Sequence, residues 1–165
     1  MMMATSVFVL LVGVVEDLRS KKVKNVLILS LFVLSLCVVL WVEGMSFFPM
    51  AMLSFVTALA MGFPLFLLGV LGAADVKLFS VLALLLTWNE VLVVGAWALV
   101  WGALLGVVRA LLSGEGLKVF SNVWRVLRLQ GAPEKQELHF IPFTVALLFG
   151  WMTNLVMNQY GGFWL

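Results

Sequence analysis

Val26-Leu27-Ile28-Leu29-Ser30-Leu31-Phe32-Val33-Leu34-Ser35-Leu36-Cys37-Val38-Val39-Leu40-Trp41-Val42 runs for 17 residues without a charge, just behind the basic stretch Arg19-Ser20-Lys21-Lys22-Val23-Lys24. A helix needs about 17–25 apolar residues to cross the hydrocarbon core of a bilayer. The run meets that length, and cations crowd only one of its ends. It reads as a membrane span with a basic flank.

The same pattern recurs outward from it. Apolar segments cover roughly 3–15, 26–42, 47–71, 76–88, 91–112 and 140–157 of a chain of 165 residues. The whole chain is 64% hydrophobic and 11% charged, with a mean hydropathy of +1.19. Soluble domains are about half apolar and about a quarter charged. This chain has too little polar surface to cover itself in water, and lipid must do part of the covering. The expected fold is an all-α membrane bundle of about six spans in a single domain, 1–165. Segments 76–88 and 91–112 read as two spans split by a turn at Trp88-Asn89-Glu90, because one helix over both would be roughly 55 Å long.

Charge gives an independent check. With the N-terminus outside, the inner loops fall at about 16–25, 72–77 and 110–139, and all ten Lys and Arg residues face that side. The outer turns carry Glu43 and Glu90. This is the asymmetry of the positive-inside rule. Residues 1–15 have no Lys or Arg ahead of their apolar run, so they read as a retained span and not a cleaved signal. Trp41, Trp88 and Trp164 fall at outer span ends, where amphipathic rings prefer the headgroup level. Residues 117–130 place Leu117, Phe120, Trp124 and Leu127 at helical spacing among Lys118, Arg125 and Arg128. They read as an amphipathic helix, either on the inner leaflet or docked on the bundle.

Several functions are excluded or unsupported. The cations do not form a large polar face, so no nucleic-acid role is expected. Cys37 is the sole cysteine and His139 the sole histidine, too few ligands for a metal centre. No glycine-rich phosphate loop is present, and no cofactor is implied.

The chain has two aspartates, Asp17 and Asp75. The topology, drawn without using them, places both at the inner boundary. Two carboxylates that approach closely cannot both ionise cheaply, so one keeps a proton. The ionised member can then take a proton from water while the neutral one polarises a peptide carbonyl. The plainer readings are an N-terminal helix cap for Asp75 and a solvated loop partner of Arg19 or Lys21 for Asp17. A transporter with the acids as a cation or proton site is the rival from another class, although such sites usually lie at the midplane.

The surrounding residues favour hydrolysis. Asp17-Leu18-Arg19-Ser20-Lys21-Lys22-Val23-Lys24-Asn25 resembles the first aspartate motif of the type IV prepilin peptidases, Asp-x-Arg followed by a basic stretch and Ile-Pro-Asn. Gly72-Ala73-Ala74-Asp75-Val76-Lys77-Leu78 resembles their second motif, Gly-x-Gly-Asp-x-Lys. Phe140-Ile141-Pro142-Phe143 ahead of the last span is similar too, and the short six-span members serving Flp or tight-adherence pili fit best. Two positions depart: Lys24 stands for the family proline and Ala74 for its second glycine. The alanine is strained only where φ is positive.

The resemblance implies an aspartic endopeptidase of the bacterial inner membrane with Asp17 and Asp75 as its catalytic pair. Its expected partner is a prepilin or pseudopilin helix with a short basic leader, cut at the cytoplasmic face, with pilus or secretion components nearby. The cysteine-rich insertion of larger relatives is absent. An inactive relative that scaffolds such a complex is the remaining alternative. Arg19 and Asn25 either position the Asp17 loop or are solvated. Gly72 belongs to the second motif, and Lys77 pairs with substrate or lipid phosphate, or snorkels to the boundary.

Overall fold

The computed structural model describes residues 1–20, 24–112 and 143–160. Six α-helices form there: α1 Met2–Ser20, α2 Asn25–Val42, α3 Phe48–Leu67, α4 Ala73–Ala83, α5 Trp88–Leu112 and α6 Phe143–Tyr160. A single 3-10 turn, Met45–Phe47, links α2 to α3. No strand occurs among the described residues. The expected amphipathic helix at 117–130, together with His139, Ile141, Pro142 and Trp164, lies outside them.

The core is apolar, as in a water-soluble protein, but the surface is apolar too and several polar side chains are buried. Leu11, Val15, Leu29, Val33, Leu53, Phe63, Val100 and Val107 point outward, while Ser6, Asp17, Ser35, Ser54, Asp75, Ser80, Thr144 and Asn154 are buried. Helices that associate in lipid show this arrangement, because apolar side chains lose nothing by facing acyl chains. Three stretches, Asn25–Val42, Met45–Leu67 and Trp88–Arg109, are long and apolar enough to cross a membrane. The chain is therefore an all-helical membrane protein. Cys37 sits on the exposed face of α2, a lipid-facing thiol.

Helix limits differ from the sequence reading in two places, each for a local reason. The first helix continues to Ser20, so Glu16 and Asp17 ride on its last turn and not in a loop beginning at residue 16. The turn between α4 and α5 falls earlier than Trp88-Asn89-Glu90. The amides of Leu84, Leu85 and Leu86 bond three residues back, tightening the end of α4. Thr87 then caps α5: its amide donates to Glu90 Oε2 at 2.8 Å and its hydroxyl to the same oxygen at 2.9 Å. This reciprocal capping starts α5 at Trp88. As a result α4 has 11 residues, about 16 Å of rise, too short to cross a hydrocarbon core alone. Instead it is the core of the bundle, with Leu78, Leu82 and Ala83 fully buried and α1, α2, α3 and α6 packed around it.

The most extensive helix pair is α5 with α6. Trp101 Nε1 donates to Thr153 Oγ1 at 3.0 Å, and its ring packs on Phe149 at 5.2 Å. Gly150 lets the backbones meet: a Cβ there would lie 2.7 Å from Ala98 N and 2.8 Å from Val94 O. Backbone cannot rotate away as a side chain can. Gly150→Ala should lower stability by about 1–3 kcal/mol, the usual cost of overpacking. Gly102→Ala, whose new Cβ would sit 3.6 Å from Ala146 Cβ, should stay within about 0.5 kcal/mol of the parent. Unfolding in mixed detergent micelles, followed by helical circular dichroism, measures both.

Candidate functional site

The bundle brings the end of α1 and the starts of α4 and α6 together at one extremity. At the opposite one, a cavity of about 280 Å³ is lined by Met2, Met3 and Ser6 from the start of α1 and by Leu85, Leu86 and Thr87 beyond α4. The beginning of α1 thus meets the end of α4, and the two helices run antiparallel. Gly13 is where they touch, for a Cβ there would fall 2.5 Å from Leu78 Cδ2. From this contact Asp17 is one turn further along α1, about 6 Å, and Asp75 is three residues back along α4, about 4.5 Å. Antiparallel helices make both steps point the same way. The two carboxylates arrive at one level and one end.

Both are almost fully enclosed, Asp17 at 3% and Asp75 at 5% exposure. Each has one donor. Thr144, fully buried in the first turn of α6, donates from Oγ1 to Asp17 Oδ2 at 2.8 Å. The Gly72 amide donates to Asp75 Oδ2 at 3.1 Å. Gly72 is the N-cap of α4, and Asp75 is its third helical residue, so the carboxylate also meets the positive end of the helix. The plain cap reading of Asp75 is thereby half met: the side chain reaches back to the cap residue and does not occupy the cap.

The supporting residues divide. Gly72 is part of the site. Asn25 and Lys77 meet each other on another flank of α4, with Lys77 Nζ donating to Asn25 Oδ1 at 3.0 Å. Arg19 is exposed on the last turn of α1. Among the described residues, no group of three or more Asp, Glu, His or Cys side chains is placed to hold a metal. The arrangement offers two buried carboxylates at one end of the bundle.

Both departures from the motifs are accommodated. Lys24 precedes α2 at φ −67°, ψ 138°, a backbone that proline also adopts. Its Nζ lies 3.8 Å from Glu16 Oε1, tying the ends of α1 and α2. Ala74 lies within α4, and positive φ among described glycines is confined to Gly44 and Gly69. Alanine at 74 therefore carries no backbone strain.

Thr144 is the residue the sequence reading missed. It directly follows the Phe140-Ile141-Pro142-Phe143 motif, but a lone hydroxyl gives no signal of a partner so far away in the chain. Thr144→Val should cost about 1–3 kcal/mol by leaving a buried carboxylate without its donor. Combined with Asp17→Ala, a double-mutant cycle in the same micelle unfolding assay should give a coupling of at least about 0.5 kcal/mol. Additivity would mean that the bond contributes nothing.

A family model described as the type IV leader peptidase family matches residues 4–107, which include both aspartates, all of α2, α3 and α4, and most of α1 and α5. No match is found among curated proteins or among solved structures.

Proposed function

Because the chain belongs to the type IV leader peptidase family, we propose that it is an aspartic endopeptidase in which Asp17 and Asp75 share the chemistry. The supporting observation is that its two aspartates, far apart in sequence, are both buried at one end of the bundle. Burying acids in a membrane protein is costly, and such residues are functional by default. One carboxylate, ionised, accepts a proton from a water that attacks the scissile carbonyl. The other, protonated, donates a hydrogen bond to the carbonyl oxygen. Collapse of the tetrahedral intermediate returns a proton to the leaving amine.

The substrate in this reading is a prepilin or pseudopilin, whose short basic leader lies at the cytoplasmic face and whose apolar helix lies in the bilayer. The membrane is the bacterial inner membrane, with six membrane-embedded helices of which α4 is too short to cross alone, the N-terminus outside and the aspartate end inside. The distribution of Lys and Arg along the chain supports that orientation. Pilus or secretion components are the expected neighbours.

Incubation of the purified protein with a prepilin should release a leader-length fragment, read by mass spectrometry. Asp17→Asn and Asp75→Asn should each slow release by at least about 10³-fold, since members of one catalytic unit fail together. Cleavage that survives both substitutions would remove the aspartates from the mechanism. A folded wild-type protein that never cleaves would favour a scaffold or transporter.

A further inference from the structure

A second recess lies on the flank of α4 where Lys77 meets Asn25. Helices α2 and α3 lean on α4 and scarcely on each other, leaving an apolar groove of about 370 Å³ between them. Ser80 and Val81 form its floor, Ile28 and Leu29 one wall and Leu59 the other. Lys77 and Asn25 close one end. Phe32 and Phe55, edge to face at 5.8 Å, lie at the other. Asn25 and Phe32 are two turns apart on α2, which makes the groove about 10 Å long. Leu29 on its wall is 63% exposed, so the groove opens outward, where lipid lies.

The shape selects the occupant. A helix is about 10–12 Å across with its side chains and exceeds a slot bounded at both ends over that length. An acyl chain is slim enough to enter. The mouth then sets the headgroup. Lys77 spends one of its three donors on Asn25, and no carboxylate pairs with it among the described residues. Asn25 accepts through Oδ1, leaving its NH₂ group to donate. The exposed side chains of Arg19 and Lys24 also belong to this end of the bundle, although Lys24 is partly neutralised by Glu16. A cation and an amide above a short apolar slot complement an anion carried on a hydrocarbon chain.

We infer that the α2–α3 groove is a binding site for an anionic phospholipid, one acyl chain lying against Ser80 and Val81 and the phosphate on Lys77 and Asn25. Transfer of a chain from bilayer to groove gains little, since both are apolar. Selectivity therefore comes from the headgroup contact. It is independent of peptide hydrolysis.

The full chain, equilibrated with equal phosphatidylglycerol and phosphatidylcholine and analysed by native mass spectrometry, tests this. One basic residue near a membrane surface is worth about a fivefold preference for an anionic lipid. The wild type should retain phosphatidylglycerol over phosphatidylcholine by about that factor. Lys77→Gln should bring the ratio close to one, and Lys77→Arg should keep it. Leu59→Trp, which fills the groove, should lose the retained lipid of either kind. If its helical circular dichroism is lost, Leu29→Trp at the exposed wall replaces it. An unchanged ratio in Lys77→Gln overturns the site. So does undiminished lipid in a folded groove-filling variant, or a dimer that this variant abolishes, which would make a second copy the occupant.

Discussion

Keeping two carboxylates out of water is the constraint around which this bundle is built. An ionised carboxylate in an apolar interior costs several kcal/mol unless hydrogen bonds and neighbouring dipoles replace the lost hydration. Thr144 and the Gly72 amide provide such bonds, and they come from different parts of the chain. Meeting that need draws the end of α1 and the starts of α4 and α6 together. Gly13 against Leu78 sets how closely α1 can approach α4, and hence how near the two acids come. The apolar exterior is the complement: polar groups that must be satisfied are inside, and lipid covers the rest.

Much of this was legible in the residues themselves. Uninterrupted apolar runs such as 26–42 announce helices in a bilayer because no other open structure satisfies its own backbone there. The aspartate motifs were legible through their resemblance to those of the type IV prepilin peptidases, whereas spacing alone left the cap and loop readings open. The limits of α4 and α5 were harder to place. Thr87 and Glu90 at capping spacing hold the signal, but they sit inside hydrophobic flanks where a turn at Trp88-Asn89-Glu90 looks equally polar. Thr144 could not be read at all. Its role depends on where α6 docks, and docking is decided by contacts such as Gly150 against Ala98.

Lys24 and Ala74 show how a motif can change its letters and keep its geometry. At residue 24 the needed property is an extended backbone with φ near −65°, and lysine adopts it while tying α1 to α2 through Glu16. At residue 74 the needed property is entry into a helix, for which alanine is well suited. In both cases this chain's backbone conformation is one that the substituted residue adopts without strain.

The link between α3 and α4 couples the site to the lipid-facing surface. Gly69, at φ +72°, reverses the chain, and the amides of Val70 and Leu71 both return to the carbonyl of Leu65. Three residues later Gly72 grips Asp75 through its own amide. The corner between α3 and the Asp75 carboxylate is therefore short, with backbone hydrogen bonds on its α3 side and the Gly72 amide on its α4 side.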